Sequence, residues 1–273
     1  MNPETLFSLH GKCALVTGGA TGIGRMAAHG LMAAGADVLI ASRKAEVCQA
    51  TAAELNALGL PGTATGFAGD VGSEAGVAAL AAAVSERTEA LHILMNNAGR
   101  TWGKPLGEFP HDAWEKIMSV NVAGLFHLTQ SLLPLLRAAA TPDDPARVVN
   151  VGSVMGEVPM GDGAYSYAAS KAAVHHLTQI LAKELSAQAI TVNALAPGPF
   201  VSNMTAFATA EPERREKVGQ GVPLGRVGQP SDIAACLQFL CGAGGAYITG
   251  AILPVSGGIN VMTGPSLFER AFT

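Results

Sequence analysis

Short apolar runs alternate with longer stretches of helical periodicity along almost the whole chain, and this alternation constrains the fold more than any other feature. The apolar runs predict strands at Cys13–Thr17, Val38–Ala41, Ala64–Phe67, Ile93–Asn96, Arg147–Val151, Ile190–Leu195 and Ile252–Val255. The longer stretches predict helices at Gly22–Gly35, Ala45–Leu58, Tyr165–Ala187 and Ser231–Cys241, from Ser73, and from His111 past Leu136. Strands that alternate with helices of this length indicate a parallel sheet.

The composition agrees with a sheet that is covered on both faces. Hydrophobic residues make up 49% of the 273 residues and charged residues only 14%, as expected when strands are buried on both sides. The predicted fold class is α/β, with one Rossmann-type doubly wound parallel sheet and helices on both faces. No linker interrupts the alternation, so a single domain is predicted over residues 1–273. After the sixth predicted strand come a loop and a polar segment, Asn203–Gly221, that is expected to be mobile.

Charge and hydropathy exclude several classes of partner. The net charge of −4 offers no basic surface to nucleic acid, and no run reaches the roughly 18 apolar residues of a membrane span. The opening Met1–Gly11 lacks the basic-then-apolar order of a signal peptide, so a cytoplasmic protein is expected. The cysteines lack metal-ligand spacing and are predicted to be buried apolar side chains: Cys13, Cys48, Cys236 and Cys241.

A glycine-rich loop, Thr17–Gly24 (TGGATGIG), follows the first predicted strand and opens the first predicted helix. Glycines at this place let the backbone turn tightly and approach a pyrophosphate, which then lies at the positive end of the helix. Cofactor contacts are predicted from Gly18, Thr21, Gly22, Ile23 and Gly24. The spacing is GxxxGxG rather than GxGxxG, and a glycine-rich turn without a ligand is the alternative.

A second loop of small residues, Asn96–Gly99, follows the fourth predicted strand. Ligands of open parallel sheets bind beyond the carboxyl ends of the strands, where the strand order reverses. Asn97, Ala98 and Gly99 are therefore predicted to lie against the cofactor, and an ordinary turn is the alternative.

The end of the second predicted strand indicates which nicotinamide cofactor would bind. Dehydrogenases that prefer NAD usually place an acidic side chain there, to bind the ribose 2′-hydroxyl. Here Ser42 occupies this place and Arg43 follows, whose guanidinium can pair with a 2′-phosphate. NADP(H) is therefore the predicted cofactor, with NAD(H) as the alternative.

Tyr167 and Lys171 are four residues apart on a predicted helix and therefore share one face. A free phenol has a pKa of about 10, too high for ready proton exchange at pH 7. A neighbouring ammonium and a positive nicotinamide would favour the phenolate and lower that pKa. Tyr167 is the predicted acid and base, and Tyr165, on another face, is its rival. A chance pair of exposed side chains is the alternative.

Ser153 and Asn121 are further candidates for the site. Ser153 follows the fifth predicted strand, so its hydroxyl can polarise a substrate carbonyl; a capping or loop serine is the alternative. Asn121 lies within a predicted helix, where asparagine is unfavourable. It therefore has a specific task, or it is a buried amide that ties the helix to a strand.

Two other kinds of site find no support in the sequence. His175 and His176 have no carboxylate or cysteine at metal-ligand spacing, so no metal site is predicted there. The Gly152–Ser153 pair also lacks the G-x-S-x-G pattern of a Ser–His–Asp hydrolase, because Val151 and Met155 stand at the flanking positions.

Together these motifs resemble those of the short-chain dehydrogenase/reductase family over about residues 9–259. Thr17–Gly24 is similar to the family's TGxxxGxG loop, and Asn96–Gly99 to its NNAG motif. The residues that resemble its catalytic tetrad, in order and spacing, are Asn121, Ser153, Tyr167 and Lys171. Within the family the chain is similar to the 3-oxoacyl-acyl-carrier-protein reductase group. Similarity to the reductases named for rhamnolipid synthesis lies in Asn97–Trp102, Ala146–Val154 and Asn193–Thr205.

The resemblance implies a role for each matched residue. Tyr167 would be the acid/base, Ser153 would orient the carbonyl, and Asn121 would position a proton-relay water. Lys171 would lower the tyrosine pKa and hold the ribose. Further contacts with the cofactor are implied for Asp70 and Val71 at the adenine, and for Pro197, Gly198, Phe200 and Ser202 after the sixth strand. The chain departs from the family pattern at Pro199 and Ser256.

These features predict an NADP(H)-dependent oxidoreductase that reversibly reduces a ketone, such as a 3-oxoacyl substrate, to a secondary alcohol. An NAD-dependent alcohol or sugar-alcohol dehydrogenase is the first alternative, and a non-catalytic dinucleotide sensor is the second. The expected partner is a small carbonyl or alcohol substrate, with an acyl thioester among the candidates. The segment at about residues 200–221 is predicted to cover it.

Two predicted helices carry more apolar residues than one sheet face can cover. The first has leucines on several faces: Leu125, Leu128, Leu132, Leu133, Leu135 and Leu136. The second is apolar around much of its circumference, at Ala172, Ala173, Val174, Leu177, Ile180 and Leu181. A homo-oligomer would cover this surface, and the family resemblance implies a homotetramer. The C-terminal Gly257–Thr273, with Met262, Leu267 and Phe268, is predicted to join a second interface near a neighbour's active site.

Overall fold

An open parallel sheet forms the centre of the computed structural model, which describes residues 3–160 and 163–262. Within these ranges its strands are β1 (Cys13–Thr17), β2 (Asp37–Ser42), β3 (Ala64–Ala68), β4 (Ile93–Asn96), β5 (Ala146–Val151), β6 (Ile190–Pro197) and β7 (Ile252–Val255). They lie in the order β3-β2-β1-β4-β5-β6-β7, and each neighbouring pair is parallel. The order reverses between β1 and β4, where such sheets bind ligands. The predicted α/β fold is confirmed.

Helices pack on both faces of the sheet, as the alternation predicts. In the described part of the chain they are α1 (Pro3–Phe7), α2 (Gly22–Ala33), α3 (Ala45–Asn56), α4 (Glu74–Ser85), α5 (His111–Met118), α6 (Leu125–Ala139), α7 (Tyr165–Leu185), α8 (Ala206–Thr209), α9 (Pro212–Gln220) and α10 (Pro230–Cys241). Most of the predicted helices lie within a few residues of their predicted bounds. Helix α4 begins after Ser73 because the Ser73 hydroxyl caps its N-terminus, accepting a hydrogen bond from Gly76 N–H at 3.1 Å.

Alternate residues of the central strands pack into two apolar cores, one on each face of the sheet. In β1, Ala14 and Val16 belong to the core beneath α2 and α10. Leu15 belongs to the opposite core, beneath α4, α6 and α7. Successive side chains of a strand point to opposite faces, so both sets are buried, and all of β5 is buried in the same way. This two-sided burial explains the continuous apolar character of the strands.

The long helix predicted around Asn121 is interrupted. A π-helical turn, Ser119–Gly124, joins α5 to α6. The turn packs against the loop after β3 so closely that a Cβ added to Gly124 would lie 2.1 Å from Val71 O. Asn121 lies inside this turn, and π-helical turns within helices are frequent at functional sites.

The polar segment Asn203–Gly221, for which the sequence predicts no helix, contains α8 and α9. Helix α9 begins with Pro212, whose fixed φ suits the first position of a helix. Glu213 in its first turn and Lys217 in its last turn complement the helix dipole. Helices are predicted from apolar periodicity, and the polar composition of this segment leaves α9 without it.

The described ranges contain no helix that is long and apolar enough to cross a membrane. The chain after β7 continues through a short 3₁₀ turn, Ile259–Val261, to Met262, which is 55% exposed. The second interface predicted for Gly257–Thr273 falls partly beyond this point, since Leu267 and Phe268 lie outside the described residues.

Candidate active site

The glycine loop lies where β1 ends and α2 begins, and its geometry requires glycine. Gly18 and Gly22 have φ values of +63° and +52°, a region that other residues rarely adopt. A Cβ on Gly24 would lie 2.3 Å from the carbonyl oxygen of Gly18. Backbone N–H groups at the start of α2 can therefore approach a ligand closely, which is the arrangement that binds phosphate groups.

Asn97 ties the loop after β4 to the glycine loop. Its side-chain amide donates to Thr17 O at 2.8 Å and to Gly18 O at 3.1 Å. In return, Thr17 Oγ1 accepts the backbone N–H groups of Asn97 at 3.1 Å and Ala98 at 3.0 Å. The two loops are thus one hydrogen-bonded unit, which an ordinary turn would not require.

These loops border a cavity of about 590 Å³ beyond the carboxyl ends of β1, β2, β4 and β5. The predicted site residues that line it are Gly18, Thr21, Gly22, Ile23, Ser42, Arg43, Asp70, Val71, Asn97, Ala98, Gly99, Ser153, Tyr167, Lys171, Pro197, Gly198, Phe200 and Ser202. Gly24 and Asn121 are buried behind this surface. Thr17 and Thr205 also line the cavity and were not predicted. Their positions could have indicated a place in the site, because Thr17 ends β1 and Thr205 lies in the loop after β6.

Lys171 fixes the catalytic side of the cavity. It is buried in α7, and its Nζ donates to Val151 O at 2.7 Å. The same nitrogen lies 5.6 Å from the ring centroid of Tyr167, one helical turn earlier. Burial lowers the pKa of Lys171 to about 8, so the ammonium form still predominates at pH 7. Ser153 follows two residues after Val151, so three of the four predicted catalytic residues, Ser153, Tyr167 and Lys171, converge here.

The pKa of Tyr167 is raised above its ordinary value. Burial disfavours the phenolate, and a hydrogen bond with Ser153 opposes this effect. In the chain alone desolvation of the phenol prevails, so the lowering of this pKa by Lys171 together with a positive nicotinamide stays a prediction. The positive nicotinamide, on which the prediction also relied, belongs to the cofactor. At neutral pH the phenol carries its proton and can donate it.

Asn121 uses its side chain to hold neighbouring segments together. Its Nδ2 donates to Arg100 O and to Ser170 Oγ, both at 2.9 Å, and its Oδ1 accepts Arg100 N–H at 2.8 Å. The side chain is 1% exposed. The amide thus ties the π-helical turn to the loop after β4 and to α7, whereas the buried-amide alternative expected a strand as the partner. Its role at a proton-relay water stays a prediction.

The other tyrosine of the motif lies elsewhere. Tyr165 packs edge-on against Phe109, with ring centroids 5.5 Å apart. It does not belong to the wall of the cavity that Tyr167 lines. The structure therefore separates the two tyrosines in the way that their positions on the helix predict.

The loop after β6 packs against the glycine loop. A Cβ on Gly22 would lie 2.9 Å from Ser202 Cβ. Phe200 anchors the loop, because its side chain is 2% exposed and belongs to the apolar core. Ser256, where the chain departs from the family pattern, donates from Oγ to Asn260 Oδ1 at 2.9 Å and has a structural role. The loop after β6 is therefore held in place by buried residues.

Where β2 ends at the cavity, Ser42 and Arg43 provide hydrogen-bond donors, and neither residue is a carboxylate. Ser42 Oγ lies 2.9 Å from Cys48 Sγ, and Arg43 is exposed beside it. A hydroxyl and a guanidinium suit a phosphate, so this end and the glycine cradle together fit a phosphorylated dinucleotide. Across residues 3–160 and 163–262, no group of three or more His, Cys, Asp or Glu could hold a metal ion.

Known proteins are similar to this chain in sequence and in fold. The rhamnolipids biosynthesis 3-oxoacyl-(acyl-carrier-protein) reductase of Pseudomonas aeruginosa is 47% identical over 255 residues, which cover 93% of this chain and 98% of that protein. The galactitol 2-dehydrogenase (L-tagatose-forming) of Cereibacter sphaeroides is 37% identical, with 96% of this chain and 100% of that protein covered. The solved Pseudomonas aeruginosa RhlG/NADP active-site complex has a TM-score of 0.89 at 47% identity, with 95% of this chain and 100% of that chain covered.

The family model described as short chain dehydrogenase matches residues 12–213. This range includes the glycine loop, the loop after β4, and the convergent Ser153, Tyr167 and Lys171. The predicted resemblance and the predicted enzyme class are therefore confirmed. The protein belongs to the short-chain dehydrogenase family.

Proposed function

We propose that the protein reduces a ketone to a secondary alcohol with NADPH, and that a 3-oxoacyl compound is its first candidate substrate. The observation that carries this proposal is that Ser153, Tyr167 and Lys171 line the same cavity as the glycine loop. A dinucleotide at the loop and a carbonyl at these side chains would meet in one site. The relative at 47% identity is named a 3-oxoacyl-(acyl-carrier-protein) reductase, which supports the substrate class.

The cavity offers a place for each part of NADP(H). Gly18 and Gly22 would hold the pyrophosphate at the start of α2, and Ser42 with Arg43 would bind the 2′-phosphate. The remaining proposed contacts are Asp70 and Val71 at the adenine, Asn97, Ala98, Gly99 and Lys171 along the cofactor, and Pro197, Gly198, Phe200 and Ser202 after β6. When bound, the nicotinamide supplies the hydride. The solved relative that contains NADP agrees with the predicted cofactor.

Tyr167 is the proposed proton donor of the reduction. Its raised pKa keeps the phenol protonated at neutral pH, so a proton is available when the carbonyl oxygen gains negative charge. The Ser153 hydroxyl would donate a hydrogen bond to the same oxygen. The Lys171 ammonium would stabilise the phenolate that remains after the proton has left. In the opposite direction the phenolate would accept the proton of the alcohol.

A second candidate function uses the same residues in the direction of oxidation. The galactitol 2-dehydrogenase relative, at 37% identity, favours a sugar-alcohol dehydrogenase. The end of β2 argues for the reductase, because Ser42 and Arg43 suit NADP(H) better than NAD(H). A non-catalytic sensor would need only the glycine loop, whereas here three catalytic side chains share the cavity.

A homotetramer built on α6 and α7 is part of the proposal. The monomer itself covers many of the apolar residues of these helices, including Leu128, Leu132, Leu136 and Leu181. The apolar residues predicted on several faces of these helices are therefore narrowed to those that the monomer leaves partly exposed. They include the half-buried Phe126, Leu133 and Leu177 and the 46%-exposed Ile180. Such a surface suits a closed symmetric interface. The acyl thioester and the cytoplasmic location stay predictions.

Replacement of Tyr167 by phenylalanine tests the proton donor. Tyr167→Phe keeps the ring and removes the hydroxyl, so we expect kcat for ketone reduction to fall by at least roughly 10²-fold. The unfolding midpoint should change little. Tyr165→Phe is the matched control and should keep most of its activity, because Tyr165 packs against Phe109 away from the cavity. Reversed effects in the two variants would contradict the proposal.

Replacement of Arg43 tests the choice of cofactor. Arg43→Ala removes the proposed partner of the 2′-phosphate, so we expect KM for NADPH to rise about tenfold or more. KM for NADH should change little, since NADH lacks this phosphate. Lys44→Ala, at the exposed neighbouring position, is the control. A wild-type enzyme that uses NADH and NADPH equally well would argue against the proposed cofactor.

Replacement of Ile180 tests the assembly. Light scattering of the wild type should give a mass of about four times the 27.7 kDa chain. Ile180→Glu places a charge in the proposed interface and should yield smaller species. Leu58→Glu is the control, because Leu58 is 57% exposed beyond the end of α3. A wild type that is monomeric and fully active in dilute solution would rule out the tetramer.

A further inference from the structure

One buried titratable side chain beside the site has no task in the proposed mechanism. His175 lies one turn after Lys171 on α7 and is 7% exposed. The loop after β5 rests directly on its ring. A Cβ on Gly152 would lie 2.1 Å from His175 Nε2, and a Cβ on Gly156 would lie 2.9 Å from Cε1. The two glycines therefore leave the space that the imidazole fills.

The imidazole contacts the backbone of the proposed catalytic serine. Ser153 N–H donates to His175 Nε2, with 3.4 Å between the two nitrogens. A neutral ring that accepts at Nε2 carries its proton on Nδ1. Glu157 Oε1 lies 3.5 Å from Nδ1 but does not form a hydrogen bond with it, so the Nδ1 proton is buried without an acceptor among the described residues. Burial and the charge of Lys171 lower the pKa of His175 to about 4, which keeps the ring neutral at pH 7.

Helix α7 thus holds the end of β5 at two points. Lys171 Nζ donates to Val151 O at 2.7 Å, and His175 Nε2 accepts from Ser153 N–H. The two side chains are four residues apart and lie on the same face of the helix. Tyr167 precedes them on that face. Helix α7, which carries the proposed proton donor Tyr167, therefore also sets the position of Ser153, which would contact the same substrate oxygen.

We propose that His175 is a positioning residue for catalysis: by accepting the backbone N–H of Ser153, it fixes the Ser153 hydroxyl beside Tyr167. His175 lies behind the cavity wall and acts through Ser153. The inference rests on the proposed role of Ser153 in ketone reduction. It also gives a function to a histidine for which the sequence offered no metal site.

The test compares two replacements of His175 in the full-length enzyme, with a 3-oxoacyl thioester as substrate. His175→Leu fills a similar volume but cannot accept a hydrogen bond, whereas His175→Gln keeps an acceptor oxygen. We expect kcat of His175→Leu to fall about tenfold or more, because small displacements of positioned groups are costly to catalysis. KM for NADPH should stay within about twofold. His175→Gln should keep most of the wild-type kcat, and His176→Leu, on the exposed side of α7, is the control.

The outcomes separate the inference from the function on which it rests. Wild-type kcat in His175→Leu, or equal losses in the Leu and Gln variants, would overturn the positioning role. Ser153→Ala is measured in parallel. If Ser153→Ala kept wild-type kcat, the proposed role of Ser153 itself would fail; if only Ser153→Ala lost activity, the role of His175 alone would fail. If His175→Leu does not fold, His175→Met supplies the apolar replacement and is judged by the same criteria.

Discussion

A hydrogen bond from Lys171 Nζ to Val151 O, 2.7 Å long, joins the helix of the proton donor to the strand that ends at Ser153. Lys171 is 4% exposed, and burial of an ammonium group is unfavourable unless it is hydrogen-bonded. The fold accepts this cost at Lys171, and the pKa of Lys171 falls to about 8 as a result. Because the bond fixes α7 against β5, Tyr167 and Ser153 come together although they belong to different elements.

Beneath the site, hydrogen bonds of buried amides also connect the sheet to its helices. Asn96 Nδ2 donates to Asn150 Oδ1 at 2.9 Å, and Asn150 Nδ2 donates to Thr178 Oγ1 at 2.9 Å. This chain of bonds links β4, β5 and α7. Hydrogen-bonded polar groups in a core favour one arrangement of the elements around them. Asn96 therefore stabilises the strands beneath the site, whereas its neighbour Asn97 lines the cavity.

Burial on both faces made the strands predictable, and the four-residue spacing of Tyr167 and Lys171 placed both on one helical face. Features that depend on tertiary contacts escaped prediction. The π-helical turn around Asn121 leaves no mark in helical periodicity, and α9 lacks the apolar residues that would reveal it. The raised pKa of Tyr167 follows from burial, which spacing does not report. The contact of His175 with Ser153 likewise depends on how closely a distant loop approaches α7.

A buried ammonium at Lys171 organises the site, and titration of that group tests this role most directly. Protein labelled with ¹³C at the lysine ε-carbons can be followed by NMR as the pH rises, and the Lys171→Met variant assigns the signal. We expect the signal missing in this variant to titrate with a pKa of about 8, below the ordinary lysine value of 10.5. A Lys171 signal that titrates near 10.5, as an exposed lysine does, would show that this ammonium is not buried at the site.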